Sequence, residues 1–254
     1  LKSKQIENLI TITQKLQKWQ SSPDSAKDIA TLPRLKLKDL ERKTRIIKSK
    51  VNRTNNQLVI KNDIETNDIA YFDIGFDIFN IPIRLLPYLG IFSSCLLKMG
   101  TKNKSYQDIA SLIERNTGGI SSALYATHEI KNLTPRAKFF ISTKTLLPKI
   151  SRATDILKEV ILEINLTDKK RLKQILLEQK AKIESAIIDS GHSYALNNAL
   201  APISTTRRIK ELTSGLSYYK FLKQSINAID NNWPKIKKEF TEFYVRPQFQ
   251  NVPP

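Results

Sequence analysis

The sequence has one cysteine, Cys95, two histidines, His128 and His192, and one methionine among its 254 residues. That scarcity excludes a zinc finger, a disulfide framework and any pair of histidines one helical turn apart, and with them most metal chemistry. A single cysteine also forbids an intrachain disulfide, and leaves the redox compartment open. No apolar run approaches the roughly 20 residues needed to cross a bilayer. The N-terminus, Leu1-Lys2-Ser3-Lys4, has neither a starting Met nor the apolar core of a signal peptide, so the chain reads as a piece of something longer.

Positive charge is abundant instead. There are 42 Lys and Arg against 24 Asp and Glu, a net of +18. Half of this excess is concentrated at one end, because residues 1–60 carry 14 basic and 5 acidic side chains, a net of +9. Such a segment could track phosphates. Aromatics are nearly absent from it, however: only Trp19 precedes the basic stretch 34–53, so stacking on single strands is poorly served and no groove-reading module is apparent. A solvated face, or a surface that meets another part of a larger protein, is the better reading. With 40% hydrophobic and 26% charged residues, the chain as a whole falls in the ordinary globular range.

Periodicity divides the chain. Ile6, Leu9, Ile10, Leu16 and Trp19 fall at helical spacing, a second short helix starts at Pro23-Asp24, and Leu37, Leu40, Ile46 and Ile47 suggest a third over 36–48. Residues 1–57 therefore read as a basic helical linker or hairpin, and 58–254 as an α+β domain. In 69–79 the period becomes two: Ala70, Phe72, Ile74, Phe76 and Ile78 alternate with Tyr71, Asp73, Gly75 and Asp77, which predicts a strand with one buried face. Leu58–Ile60 is its expected hairpin partner, through the polar stretch 61–68. Helices are expected over 88–99 after Pro87 and over 105–116. A turn at Thr117-Gly118-Gly119 and strands over 120–130 and 136–145 follow. The Gly pair is no phosphate loop, since no Lys-Ser/Thr follows it. Beyond Pro148 the pattern is helical: 149–163, a helix capped by Asp168, and stretches around 194–201, 216–226 and 234–243, with a break at Ser190-Gly191 before His192. The order predicts an antiparallel sheet with helices packed on one face.

Several pieces carry a resemblance: Thr66-Asn67-Asp68-Ile69-Ala70-Tyr71-Phe72-Asp73, Leu86-Pro87-Tyr88-Leu89, Leu96-Leu97-Lys98-Met99-Gly100-Thr101, Ser105-Tyr106, Thr117-Gly118-Gly119-Ile120 and Ser214-Gly215-Leu216-Ser217-Tyr218. In this order and spacing they resemble the insulinase/pitrilysin family of zinc metallopeptidases, in its presequence protease subgroup. Residues 1–60, with Asp28-Ile29-Ala30-Thr31-Leu32-Pro33-Arg34-Leu35, look like the helical hairpin joining the two halves of those proteases. The family holds zinc on an inverted H-x-x-E-H helix, and aligning on Met99-Gly100-Thr101 puts its histidines at Ile91 and Cys95 and its general base at Ser94. None of the three suits the chemistry, which needs neutral imidazoles and a carboxylate. Glu178 and Glu184 lie on the helix corresponding to the one that supplies the third ligand, and read as solvent-facing charges.

The resemblance thus implies the linker and the inactive third domain of the C-terminal half, without zinc of its own. In the parent enzyme the zinc and the catalytic half lie elsewhere in the same polypeptide, a further C-terminal domain follows, and unstructured peptides are the substrates. Members of the family occur in organellar matrices or bacteria, so the compartment stays open. The alternative is a free-standing non-catalytic binding module, either a partner subunit like those of processing peptidases or a nucleic-acid binder. Cys95 is expected in the core, His128 at a surface strand and His192 at a helix break.

Overall fold

The computed structural model describes residues 3–43, 46–54, 57–246 and 249. By Cα proximity the chain forms two units, one comprising 1–53 with 58–63 and the other 54–57 with 64–254. The boundary expected after residue 57 lies one residue into the second strand of a two-stranded sheet.

The first unit contains helix α1 (Ser3–Ser21), the short helix α2 (Ala26–Thr31), and strands β1 (Ser49–Thr54) and β2 (Gln57–Asn62), which form a two-stranded sheet. Ser25 caps α2, its Oγ accepting from the Asp28 N–H at 3.2 Å. Two expectations are corrected here. The helix expected over 36–48 is a single 3₁₀ turn at Leu37–Asp39, because Asp39 Oδ2 accepts from the Lys36 N–H at 2.9 Å and Leu40 is extended; Thr44 and Arg45 lie outside the described residues. The strand at Leu58–Ile60 pairs not with the strand after it but with β1, where Ser49 Oγ donates to Asn62 Oδ1 at 2.5 Å. With Val51 its one apolar residue, β1 offers almost no alternation to find in the sequence.

The second unit is built on a three-stranded antiparallel sheet, β3 (Ile69–Asp77), β4 (Ile120–His128) and β5 (Pro135–Leu146), in the order β3-β5-β4. A tight turn leads into β3: Asn67 and Asp68 both have positive φ (49° and 59°), and the Ile69 N–H donates to the Thr66 carbonyl at 3.1 Å. Asn and Asp accept that backbone more readily than other non-glycine residues, which explains the Thr-Asn-Asp part of the motif. The register aligns Phe76 with Phe139 and Leu124, and Ile74 with Ile141 and Ser122, on one face. That face is covered; the other carries Tyr71 and an edge-to-face pair, Tyr125 and Phe140, 5.6 Å apart. The expected α+β arrangement is what the chain adopts.

Helix α3 (Leu86–Cys95) lies at the centre, with Pro87 in its first turn and almost every side chain buried. It ends four residues earlier than its sequence pattern suggests, and 96–98 continue as turn. Around it are α4 (Tyr106–Asn116), capped by a reciprocal Ser105–Asp108 box, α5 (Ile150–Leu162), α6 (Lys169–Leu200), α8 (Leu216–Asn231) and α9 (Trp233–Tyr244). The stretch expected at 194–201 belongs to α6, whose break appears as Ser190 with φ −133° and ψ 31°. Between α6 and α8 is α7 (Thr205–Ser214), a helix the sequence pattern does not anticipate. The core is aromatic at its middle, where Phe92 meets Phe139, Phe243, Tyr244 and Phe249 at centroid distances of 5.3–6.1 Å.

Candidate functional site

The resemblance makes α3 the place to look for chemistry, and α3 presents core there. Ile91 is 1% exposed and Cys95 is completely buried, while Ser94 is half-buried. Burial pushes the Cys95 thiol up to about 12, the nearby Lys98 and Arg171 charges only partly opposing it. A metal ligand must be a thiolate, so Cys95 at neutral pH is a small apolar side chain. The neighbouring hydroxyl of Ser93 is spent on Ser122 Oγ, 2.8 Å away on β4.

The space beside the helix is closed as well. A Cβ added to Gly90 would stand 2.5 Å from the Thr213 carbonyl and 2.6 Å from the Tyr218 ring, so α3 packs backbone to backbone against the end of α7. Gln179, on α6, joins this contact: it accepts from the Tyr218 hydroxyl at 2.8 Å and donates to the Gly90 carbonyl at 3.4 Å. Its neighbour Glu178 pairs with Lys98 at 2.6 Å, and Glu184 accepts from the Tyr219 hydroxyl at 2.6 Å and from Lys180 at 2.9 Å. Both carboxyls are held below their ordinary range, Glu178 by the Lys98 hydrogen bond and Glu184 by that of Tyr219 and then Lys180. Both are thus tied to partners rather than simply solvated. Among the described residues no three His, Cys, Asp or Glu side chains are grouped to hold a metal ion.

The segment after α3 is latched in place. Thr101 Oγ1 donates to Glu159 at 2.8 Å, Lys104 reaches both oxygens of the same carboxylate at 2.7 Å, and Arg171 Nε donates to the Lys98 carbonyl at 2.8 Å while its guanidinium covers the Tyr106 ring. The Lys98-Met99-Gly100-Thr101 and Ser105-Tyr106 motifs therefore form one fastening between α3, α5 and α6.

The Ser214-Gly215-Leu216-Ser217-Tyr218 motif surrounds a second buried group. Glu211, 3% exposed, accepts from Asn197 Nδ2 at 2.8 Å, Asn198 Nδ2 at 2.9 Å and the Ser217 N–H at 2.7 Å. Burial raises its pKa, but those hydrogen bonds outweigh burial and hold it below the ordinary carboxylate range. One carboxylate thereby joins α6, α7 and α8. His128 is exposed at the end of β4, and His192 is exposed just past the α6 break.

The fold defines the class: an α+β domain whose central helix, α3, is buried on almost every side. Residues 1–224 match the family described as Peptidase M16-C associated, and the chain belongs to that family. It is similar to Protein HypA of Clostridium perfringens, at 33% identity over 86% of this chain and 23% of that protein. It is also similar to Presequence protease 1, chloroplastic/mitochondrial, of Arabidopsis thaliana (28% identity; 93% and 22%) and to the mitochondrial presequence protease of Saccharomyces cerevisiae (27%; 84% and 21%). The chain spans under a quarter of the length of these relatives. The presequence-protease-like resemblance within the insulinase family is thus borne out. Among the described residues no helix is long and apolar enough to cross a membrane.

Proposed function

We propose that the chain is a non-catalytic domain of a presequence-protease-like zinc metalloendopeptidase. It forms part of the wall of the peptide-enclosing chamber, and its N-terminal basic segment serves as the hinge to the catalytic half. Zinc, general base and bond cleavage belong to another part of the parent polypeptide, whose substrates are unstructured peptides. The observation that carries this reading is the motif helix of a peptidase-family chain with Ile91 and Cys95 sealed in its core. Neither side chain can ligate zinc as it stands, and Ser94, which the resemblance puts at the general-base position, is no base at neutral pH.

The test is metal content and activity of the 254-residue chain. After incubation with zinc and desalting, elemental analysis is expected to find well below one zinc per chain, and a quenched unstructured peptide is expected to stay uncleaved. One tightly bound zinc per chain with chelator-sensitive cleavage would overturn the proposal.

A further inference from the structure

Helix α6 consists of two pieces held in different ways. Over 169–189 it is built into the domain: Leu172, Ile175, Leu176 and Ile183 are buried, and Lys173, Glu178, Gln179 and Glu184 bond to Asp230, Lys98, Tyr218 and Tyr219 respectively. Past the break at Ser190 this changes. None of residues 191–203 is buried, and Leu196 and Ile203 are exposed. Among the described residues, the side-chain hydrogen bonds that reach from this arm to the rest of the domain are those of Asn197 and Asn198 to Glu211.

Two details work against the arm staying closed. Asn197 has to turn its Nδ2 to Glu211, because a carboxylate only accepts, and this leaves Asn197 Oδ1 buried with no hydrogen-bond partner among the described residues. An acceptor left so is destabilising, and water satisfies it once the arm lifts. Gly191 is the second detail. It stands in helical chain directly after the break, yet a Cβ there would meet nothing within 4 Å and its φ lies outside the left-handed region, so neither space nor backbone angle calls for glycine. What glycine contributes is freedom, with a loss of helix propensity. At the other end the helix stops at Leu200, and a turn over 201–203 containing Pro202 leads into α7. The arm thus has a pivot at both ends.

We infer that residues 191–203 form a strap that opens and closes on the folded domain, hinged at Ser190-Gly191 and at the turn before α7, and latched by the Glu211 carboxylate. Closed, it ties α6 to α7 and helps to cover Glu211; open, it gives that carboxylate and both amides to water while the rest of α6 stays in the core. A helix as short as 191–200 does not hold in water without support, so the lifted arm unravels and its backbone amides exchange at each opening. The inference stands independently of the chain's place in a peptidase.

The test is hydrogen exchange of the 254-residue chain, followed by NMR. Amides of 194–203 are expected to exchange roughly a hundredfold or more faster than those of 172–187, since the arm opens without the core. G191A, which restores helix propensity at the hinge, is expected to slow the arm by about fivefold. E211Q, which weakens the latch, is expected to speed it by about tenfold or more. I175V, which loosens only the buried part of α6, is expected to speed 172–187 by roughly several-fold and to change the arm by less than about twofold. Arm amides as slow as those of 172–187, an I175V variant that speeds both parts alike, or a G191A variant whose arm exchanges as fast as that of the wild type would each overturn the inference. Where E211Q fails to fold, the comparison of wild type, G191A and I175V still decides it.

Discussion

Glu211 shows how a buried charge can be held without a cation. Its three hydrogen bonds come from two amides and one backbone N–H, and they require the chain at residue 215 to pass directly over it. A Cβ on Gly215 would collide with Glu211 Oε2 and stand 2.9 Å from Glu211 Cα, so glycine is needed there for space rather than for its backbone angles. G215A is expected to cost about 2 kcal/mol by forcing the carboxylate off its donors, and E211Q a similar amount by turning an amide toward other donors. The two should be strongly non-additive in denaturant unfolding, since each breaks the same cluster. The sign of the pH dependence follows from the lowered pKa. The stabilisation is complete above the ordinary glutamate value near 4.5 and is lost as pH falls below it through the folded-state value. The stability difference between wild type and E211Q should therefore shrink as pH drops below about 4.5. A difference that stays constant down to about pH 3 would count against the carboxylate as its source.

At the scale of elements, what can be read in the sequence depends on how apolar each element is. The alternation in 69–79 and in 136–145, and the stripes of α3, α5 and α8, are visible because each buries a continuous apolar face. Asp168 marks the start of α6 by its capping chemistry, and α4 shows through the helical period of Tyr106, Ile109, Ala110 and Ile113. Two kinds of element stay hidden. The polar strand β1 has a single apolar residue, so the sequence pattern assigns its partner β2 to the wrong neighbour. Helix α7 buries Thr206, Glu211 and Thr213 beside Ile209, so its inward face is mostly polar and gives no hydrophobic stripe. The Glu211 cluster lies on that helix, which is why it is not legible. That α3 is apolar can be read from the sequence, but how tightly it meets α7 cannot. That closeness gives a prediction. G90A should raise intrinsic helix propensity by about 1 kcal/mol yet destabilise the protein by a net of roughly 1–3 kcal/mol, because the new methyl meets the Thr213 carbonyl and the Tyr218 ring. Thermal unfolding of the variant measures it; a raised midpoint would mean that the helices can separate at no cost.

For the whole molecule, the uneven charge and the uneven burial coincide. The first 60 residues carry +9 of the +18, and among their described residues not one side chain is buried, with Trp19 74% exposed. The core belongs entirely to the second unit. Little apolar burial holds the N-terminal unit's backbone closed, so local opening there should be frequent, whereas opening the second unit exposes its aromatic centre. Trypsin needs both an opened chain and a Lys or Arg, and 34–53 offers both, with nine basic residues and, among its described residues, a single 3₁₀ turn ahead of β1. Brief digestion of the 254-residue chain is expected to cut first within 34–53 and to leave a resistant fragment that retains α3 to α9. That fragment should unfold within a few degrees of the uncut chain, because stability follows the apolar area that the cut leaves intact. Initial cleavage in α6 or α8, or a fragment that unfolds at once, would show instead that the basic segment stabilises the core, and the hinge assigned to it would have to be a fixed part of the second unit.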